Sequence, residues 1–242
     1  LQPPFLVYHL LAQCASVEEA VLWLQTKIKL ADIPFFGTVP PLHWSFHDAS
    51  GETIVVEPDR DGLHIYRNTL GVMTNSPGHS WHRLNLLNYA GLRDGDYPTV
   101  ELDGETLDQC FSGSGFQGLP GDWSSPSRFV RLAFLKKYAS KGSNEEEGVS
   151  RMLHLFRSAA FPLGLVKVSH QSHVTELDRT VVPFDYTVYT SIYCAESLKA
   201  YWTTYENWRV QCLELGALLN RKEPLSISLG NEPDFLDRTP RQ

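Results

Sequence analysis

Leu42-His43-Trp44-Ser45-Phe46-His47, then Asp48-Ala49-Ser50-Gly51, then Thr53-Ile54-Val55-Val56-Glu57, reads as an antiparallel hairpin. The first run alternates large apolar and polar side chains, as a half-buried strand does. The last run is β-branched, and the four residues between them carry turn chemistry. Gly62-Leu63-His64-Ile65-Tyr66 and Leu70-Gly71-Val72-Met73-Thr74 are expected to add two further strands. Upstream, residues 5–14 and 17–29 read as helices. The second opens on Ser16-Val17-Glu18-Glu19, a capping box ahead of the apolar positions Val21, Leu22, Leu24 and Ile28.

Downstream, Trp81 to Tyr89 reads as helical and leads into a loop-rich segment, residues 93–126. Connections longer than about 12–15 residues are usually functional or disordered. The turn signals at Asp103-Gly104 and Gly113-Ser114-Gly115 predict a projecting arm. Ser127 to Tyr138 and Val149 to Ala160 read as helices flanking a polar acidic loop, residues 140–148. Three strands close the pattern, Thr187 to Cys194, Leu198 to Tyr205 and Asn207 to Leu213, with Leu225 to Ser228 a candidate fourth. Helix pair, strands, helix pair, strands predicts an α+β layered architecture with mostly antiparallel sheets, in one domain over residues 1–242.

Composition narrows the function. The formal net charge of −7 comes from 21 basic and 28 acidic residues, with no Lys/Arg stripe that could neutralise phosphates. Nucleic acid is therefore not an expected partner. No apolar run approaches the roughly 18 residues of a membrane span, and no basic-then-apolar export signal opens the chain. Cys14, Cys110, Cys194 and Cys212 show no CxxC spacing, which argues against a disulfide scaffold or zinc ribbon. A reducing cytoplasm is the expected compartment. Leu1-Gln2-Pro3-Pro4-Phe5 carries no initiator Met, so the chain is expected to begin mid-sequence or after processing.

Several motifs could carry chemistry. His79-Ser80-Trp81-His82 and His170-Gln171-Ser172-His173 have an i, i+3 spacing that can bring two imidazoles to one helical face, as metal sites sometimes require. Neither pair has an acidic or thiol partner at a set distance, so surface or capping histidines are expected, with no metal and no cofactor. The stretch Gly113 to Asp122 lacks the Lys-Ser/Thr ending of a phosphate-binding loop, and turn-forming glycines are expected there. Cys14, inside an apolar helical stretch, reads as a structural thiol. Ile33-Pro34-Phe35-Phe36-Gly37 places large apolar groups on a Pro/Gly loop, which either pack down or grip an apolar ligand. Thr74-Asn75-Ser76-Pro77 offers an amide N–H suited to an oxyanion, and Ser127-Arg128-Phe129 delivers an Arg at a helix start, where it can favour a thiolate. The plain alternatives are a turn Asn and a surface Arg.

Taken in order, Leu42-His43-Trp44, Ile54-Val55-Val56-Glu57, Gly71-Val72-Met73-Thr74-Asn75-Ser76-Pro77, Asn85-Leu86-Leu87-Asn88-Tyr89 and the stretch Gly118 to Arg128 resemble the choloylglycine hydrolase family. That family includes conjugated bile salt hydrolases and penicillin V acylases. Tyr189-Thr190-Ser191 and Tyr201-Trp202-Thr203-Thr204-Tyr205-Glu206-Asn207 also fit its C-terminal sheet. The resemblance implies the N-terminal-nucleophile fold, a four-layer αββα sandwich. It implies a Cys exposed as residue one, its own α-amino group as base, and an acyl thioester intermediate. It further implies that Asn75 is an oxyanion-hole residue and Arg128 the active-site Arg. Ile33, Phe35 and Phe36 would line the acyl pocket, with Thr74 beside them in the substrate-binding set. Residues 93–120 would correspond to the arm that packs on a neighbouring subunit in family tetramers.

In that alignment the opening Cys, the Arg and Asp after it, and a second oxyanion-hole Asn all fall upstream of Leu1. None of the four cysteines sits in the required context, so the fold is expected to be incomplete at its N-terminus and residues 1–242 inactive alone. The leading expectation is a bile salt hydrolase releasing glycine or taurine, because the Ile33-to-Phe36 loop suits a rigid ring system. Penicillin V acylase is the close alternative. An interaction module that keeps the fold without the nucleophile is the alternative of a different class.

Overall fold

The computed structural model describes residues 1–34, 39–109, 112–168 and 184–240. Phe35, Phe36, Cys110 and the His170/His173 pair lie outside them. The chain forms two compact units, Leu1–Phe134 and Leu135–Gln242, and is α+β with antiparallel strand pairing throughout the described residues. Among those residues no helix is long and apolar enough to cross a membrane.

The first unit begins with helices α1 (Leu6–Gln13) and α2 (Val17–Thr26). The Ser16 hydroxyl accepts the Glu19 N–H at 3.2 Å, and the Glu19 carboxylate reaches back to the Ala15 N–H at 2.8 Å. Two backbone donors at the start of α2 are thereby satisfied. Ser16→Ala is expected to lower stability by about 1 kcal/mol, read as a shift in denaturant midpoint. Strands β1 (Trp44–His47), β2 (Thr53–Asp59) and β3 (Gly62–Tyr66) form a sheet in that order, with Trp44 opposite Val56 and Phe46 opposite Ile54. Ile54 and Val56 point into one core with Leu6, Leu10, Val17, Ala20, Val21 and Leu24. Val55 and Glu57, which alternate with them, are buried as well, so β2 is covered on both faces. Each fully buried aliphatic side chain contributes about 1.5–3 kcal/mol.

Glu57 has a specific task. Its Oε2 accepts the backbone N–H of His79 at 2.8 Å, the first residue of helix α3 (His79–Asn85), which continues as a 3-10 turn over Leu86–Tyr89. A carboxylate at a helix start meets an unpaired N–H group and the positive end of the backbone dipoles. The strand expected over Leu70 to Thr74 does not form. Thr69 makes the last bonds to the sheet, its N–H and its hydroxyl both donating to Thr53 O at 3.0 Å. Gly71 then turns the chain at φ +65°, and residues 72–78 run as an irregular segment.

Within the segment expected to form an arm, residues 93–109 and 112–120 are described and carry a short hairpin. Strands β4 (Val100–Leu102) and β5 (Glu105–Leu107) make a hairpin around Asp103 and Gly104, at φ +48° and +87°. Such angles are those of a tight primed turn. At its base the Arg93 N–H bonds Gly115 O at 3.0 Å, and a Cβ on Gly115 would sit 2.0 Å from Gly95 O. Only glycine allows that approach. The Gly113 and Ser114 N–H groups donate to Asp96 Oδ1 at 2.7 and 2.8 Å, so the glycine-rich stretch binds its own carboxylate. Helix α4 (Ser125–Tyr138) follows.

In the second unit, helix α5 (Glu145–Arg157) is capped by Asn144, whose side chain accepts the Glu147 N–H at 2.9 Å. A short ladder joins β6 (Val166–Lys167) to β7 (Phe184–Asp185). Strands β8 (Tyr189–Cys194), β9 (Lys199–Thr204) and β10 (Gln211–Glu214) form a sheet with β9 central. Val149 and Leu153 of α5 pack on Tyr201, Ile192 and Cys194. The Tyr201 and Ser197 hydroxyls both donate to Glu145, which holds that carboxyl below its ordinary range and pushes the Tyr201 phenol up. Two expected strand positions move. Asn207 closes a turn instead, with Thr204 N–H on its carbonyl and Arg209 N–H on its side chain, so pairing resumes only at Gln211. Leu225 to Ser228 joins no ladder; beyond it, the Trp202 indole and Gln211 amide donate to Leu229 O at 2.9 and 2.8 Å.

Candidate active site

Asn75 sits exposed midway along the irregular segment, while Thr74 beside it is buried. The segment is fixed from two helices. From α4, Ser125 O accepts the Thr74 hydroxyl at 3.2 Å, and the Ser125 hydroxyl donates to Asn75 O. From α3, His82 Nε2 lies 3.0 Å from the same Asn75 O. A carbonyl oxygen only accepts, so this ring carries its proton on Nε2 and donates it. His82 is 2% exposed and lies flat against Phe129, ring centres 4.5 Å apart and planes 11° from parallel. The Asn75 carbonyl thus receives two donors at once.

The Asn75 side chain is oriented by a third group. Arg128 Nη2 donates to Asn75 Oδ1 at 2.7 Å, and Arg128 Nε donates to Trp123 O at 3.0 Å. A guanidinium has no acceptor, so the Asn75 amide must turn its oxygen toward Arg128. Its NH2 group then points the other way, with two N–H bonds to offer. Positive charge behind the amide oxygen also polarises those N–H bonds. The two residues singled out for catalysis are therefore joined directly, and the arrangement presents a fixed donor at an exposed position.

The loop before α4 is held by Asp122. Its carboxylate accepts the Ser124 N–H at 2.9 Å and the Ser127 hydroxyl at 2.6 Å. Hydrogen bonds from Ser124 and Ser127 bring its pKa down to about 2. Arg131, 6% exposed, donates from Nη1 to Pro120 O and Asp122 O, and burial pulls its pKa down against the opposing charge of Asp122. Because Asp122 titrates lower in the folded protein than its ordinary 3.8, its contribution is complete above about pH 4 and is lost as pH falls toward 2. Thermal unfolding followed from pH 5 to 2 should show Asp122→Asn losing less stability on acidification than the parent protein.

Other sequence candidates land elsewhere. Ile33 is 52% exposed on the loop after α2. Phe35 and Phe36 are outside the described residues, so the acyl-pocket reading of this loop rests on Ile33 alone. His79 and His82 do not form a surface pair, since both are buried, His79 with its ring edge toward Phe129 and its pKa lowered by burial. The Cys14 thiol is half-buried and raised by desolvation, so it is held neutral. The exposed Asp59 and Asp61 and the half-buried His64, around the β2–β3 turn, could converge on a metal ion, with Asp61 Oδ1 2.7 Å from His64 Nε2. Sequence reasoning missed Ser125 and the part played by His82. The His79/His82 spacing marks the position, but the expectation of a surface or capping histidine fails because His82 is buried.

Residues 1–226 match the family described as linear amide C–N hydrolases, choloylglycine hydrolase family. The chain belongs to that family. A choloylglycine hydrolase relative, the bile salt hydrolase/transferase of Clostridium perfringens, is 33% identical over 85% of this chain and 59% of its own length. The bile salt hydrolase/transferase of Lactiplantibacillus plantarum is 34% identical over 96% of this chain and 69% of its own. The chain thus spans roughly three-fifths to two-thirds of these curated relatives. The crystal structure of a mutant conjugated bile acid hydrolase from Clostridium perfringens superposes with a TM-score of 0.81 at 30% identity, covering 98% of this chain and 70% of that one. Penicillin V acylase from Agrobacterium tumefaciens, at 19% identity and a TM-score of 0.62 over 89% of this chain and 56% of that one, shares the fold.

Proposed function

We propose that this choloylglycine hydrolase family member cleaves the amide of a conjugated bile salt, with Asn75 donating to the developing oxyanion and Arg128 orienting it. The observation that carries the reading is the 2.7 Å bond from Arg128 to Asn75 Oδ1, which turns the Asn75 N–H bonds outward. The nucleophile in this proposal is an N-terminal Cys contributed from upstream of residue 1. Its thiolate attacks the amide carbonyl carbon, and negative charge builds on the carbonyl oxygen, where Asn75 donates. The C–N bond breaks as the amine leaves with a proton from the Cys α-amino group. Water then cleaves the acyl thioester. Arg128, permanently charged, favours the thiolate.

The bile salt choice is supported by the two bile salt hydrolase/transferase relatives and by the exposed apolar side chain of Ile33. The shared fold with penicillin V acylase supports a second reading, penicillin V. We place the sheets and helices in the four-layer αββα arrangement of N-terminal-nucleophile hydrolases, and assign the arm, with exposed Val100, Leu102 and Leu107, to contacts between copies of the chain.

The test compares residues 1–242 with the same protein extended upstream to an N-terminal Cys. Glycine release from glycocholate is expected only from the extended protein, and faster than its turnover of penicillin V. Hydrolysis by residues 1–242 alone, or inertness of the extended protein toward both amides, would overturn the assignment.

A further inference from the structure

The second unit contains a cavity of about 360 Å³, within the range of small-molecule sites. Its walls are mostly apolar, with Phe161, Tyr189 and Trp208 among them, and Arg157 is the one charged group among the described residues that line it. Arg157, the last residue of α5, stacks its guanidinium over the Trp208 ring at 4.8 Å. That contact holds the cation at the cavity wall, and no carboxylate among the described residues pairs with it.

Two hydroxyls add to this charge. Thr187 Oγ1 accepts the Phe161 N–H at 2.8 Å, and the Tyr205 hydroxyl accepts the Leu163 N–H at 2.9 Å. An oxygen already accepting a backbone N–H keeps its own proton to donate. The lining therefore combines a cation stacked on Trp208 with two hydroxyl-bearing residues that each keep a proton to donate, beside aromatic walls. Every one of these groups favours an acceptor-rich anion carrying an apolar body.

We propose that this cavity is a binding site for a small amphipathic organic anion, its aromatic or fused-ring body against Phe161, Tyr189 and Trp208 and its sulfonate or carboxylate against Arg157, Thr187 and Tyr205. The proposal is independent of the amide chemistry assigned to Asn75 and Arg128. Calorimetric titration of the purified protein with 8-anilinonaphthalene-1-sulfonate, and with the neutral N-phenyl-1-naphthylamine, tests it. The sulfonate is expected to saturate at one per chain and to bind about tenfold or more tighter than the neutral arene, which is about 1.4 kcal/mol. Arg157→Gln, at an exposed helix end where folding is not at stake, should erase that margin. Thr187→Val should narrow it. Equal affinity for the two compounds, non-saturating uptake, or a margin untouched by Arg157→Gln would overturn the site. So would a dimer seen in sedimentation that Arg157→Gln dissolves without any anion uptake, since the surface would then be an interface.

Discussion

Asn75→Ala, made in the catalytically complete protein, is expected to lower kcat by a factor of about 10²–10³, equivalent to about 2.7–4 kcal/mol, with little change in KM. The reasoning is that an oxyanion donor acts on charge that exists only in the transition state, so its loss is felt in the chemical step and hardly in ground-state binding. Asn75→Asp sharpens the test. It keeps the shape and the contact with Arg128, but replaces the N–H donors with a carboxylate oxygen and adds a negative charge beside the developing oxyanion. If Asn75 acts as a donor there, Asp must be at least as damaging as Ala. A variant whose KM rises while kcat holds would move Asn75 out of the catalytic role and into substrate binding.

Phe129→Ala is expected to cost about 3–5 kcal/mol of folding stability, measured by denaturant unfolding. Phe129 has no solvent exposure, and its ring carries His82 on one face and meets the edge of His79. Removing it opens a cavity beneath the imidazole that fixes the Asn75 carbonyl. Activity in the complete protein should therefore fall under conditions where the variant is still folded, because the Asn75 backbone loses its lower support. Phe129→Leu, which refills most of the volume, should recover much of both.

How much of this was legible in the sequence depended on whether the governing interaction was local. The start of α2 was readable, because Ser16 and Glu19 satisfy neighbouring N–H groups within one turn. The β1–β2 hairpin was readable because β-branched residues flanking a turn leave little choice. Leu70 to Thr74 misled, since its apolar run suits a strand, but Gly71 turns away and the burial of Val72 and Thr74 is supplied by tertiary contacts. The same limit held at the site. Asn75 and Arg128 were picked out through resemblance, whereas their bond spans 53 residues and no spacing rule could have forecast it. Ser125 carried no signal and His82 reads as a surface or capping histidine, because a hydroxyl and a buried imidazole acquire their roles only when three segments converge.

The base of the arm carries a practical implication. Asp96 clamps the Gly113 and Ser114 amides, the Tyr97 N–H bonds the Ser114 hydroxyl at 3.0 Å, and Gly115 presses against Gly95, so the two ends of the excursion are stapled together independently of its tip. A loop whose ends are already closed loses little when its crown is lengthened, because the entropy of closure grows only slowly with length. Asp103-Gly104 is therefore a natural splice point, where a tag or reporter could be grafted without loosening the Asn75 to Arg128 framework.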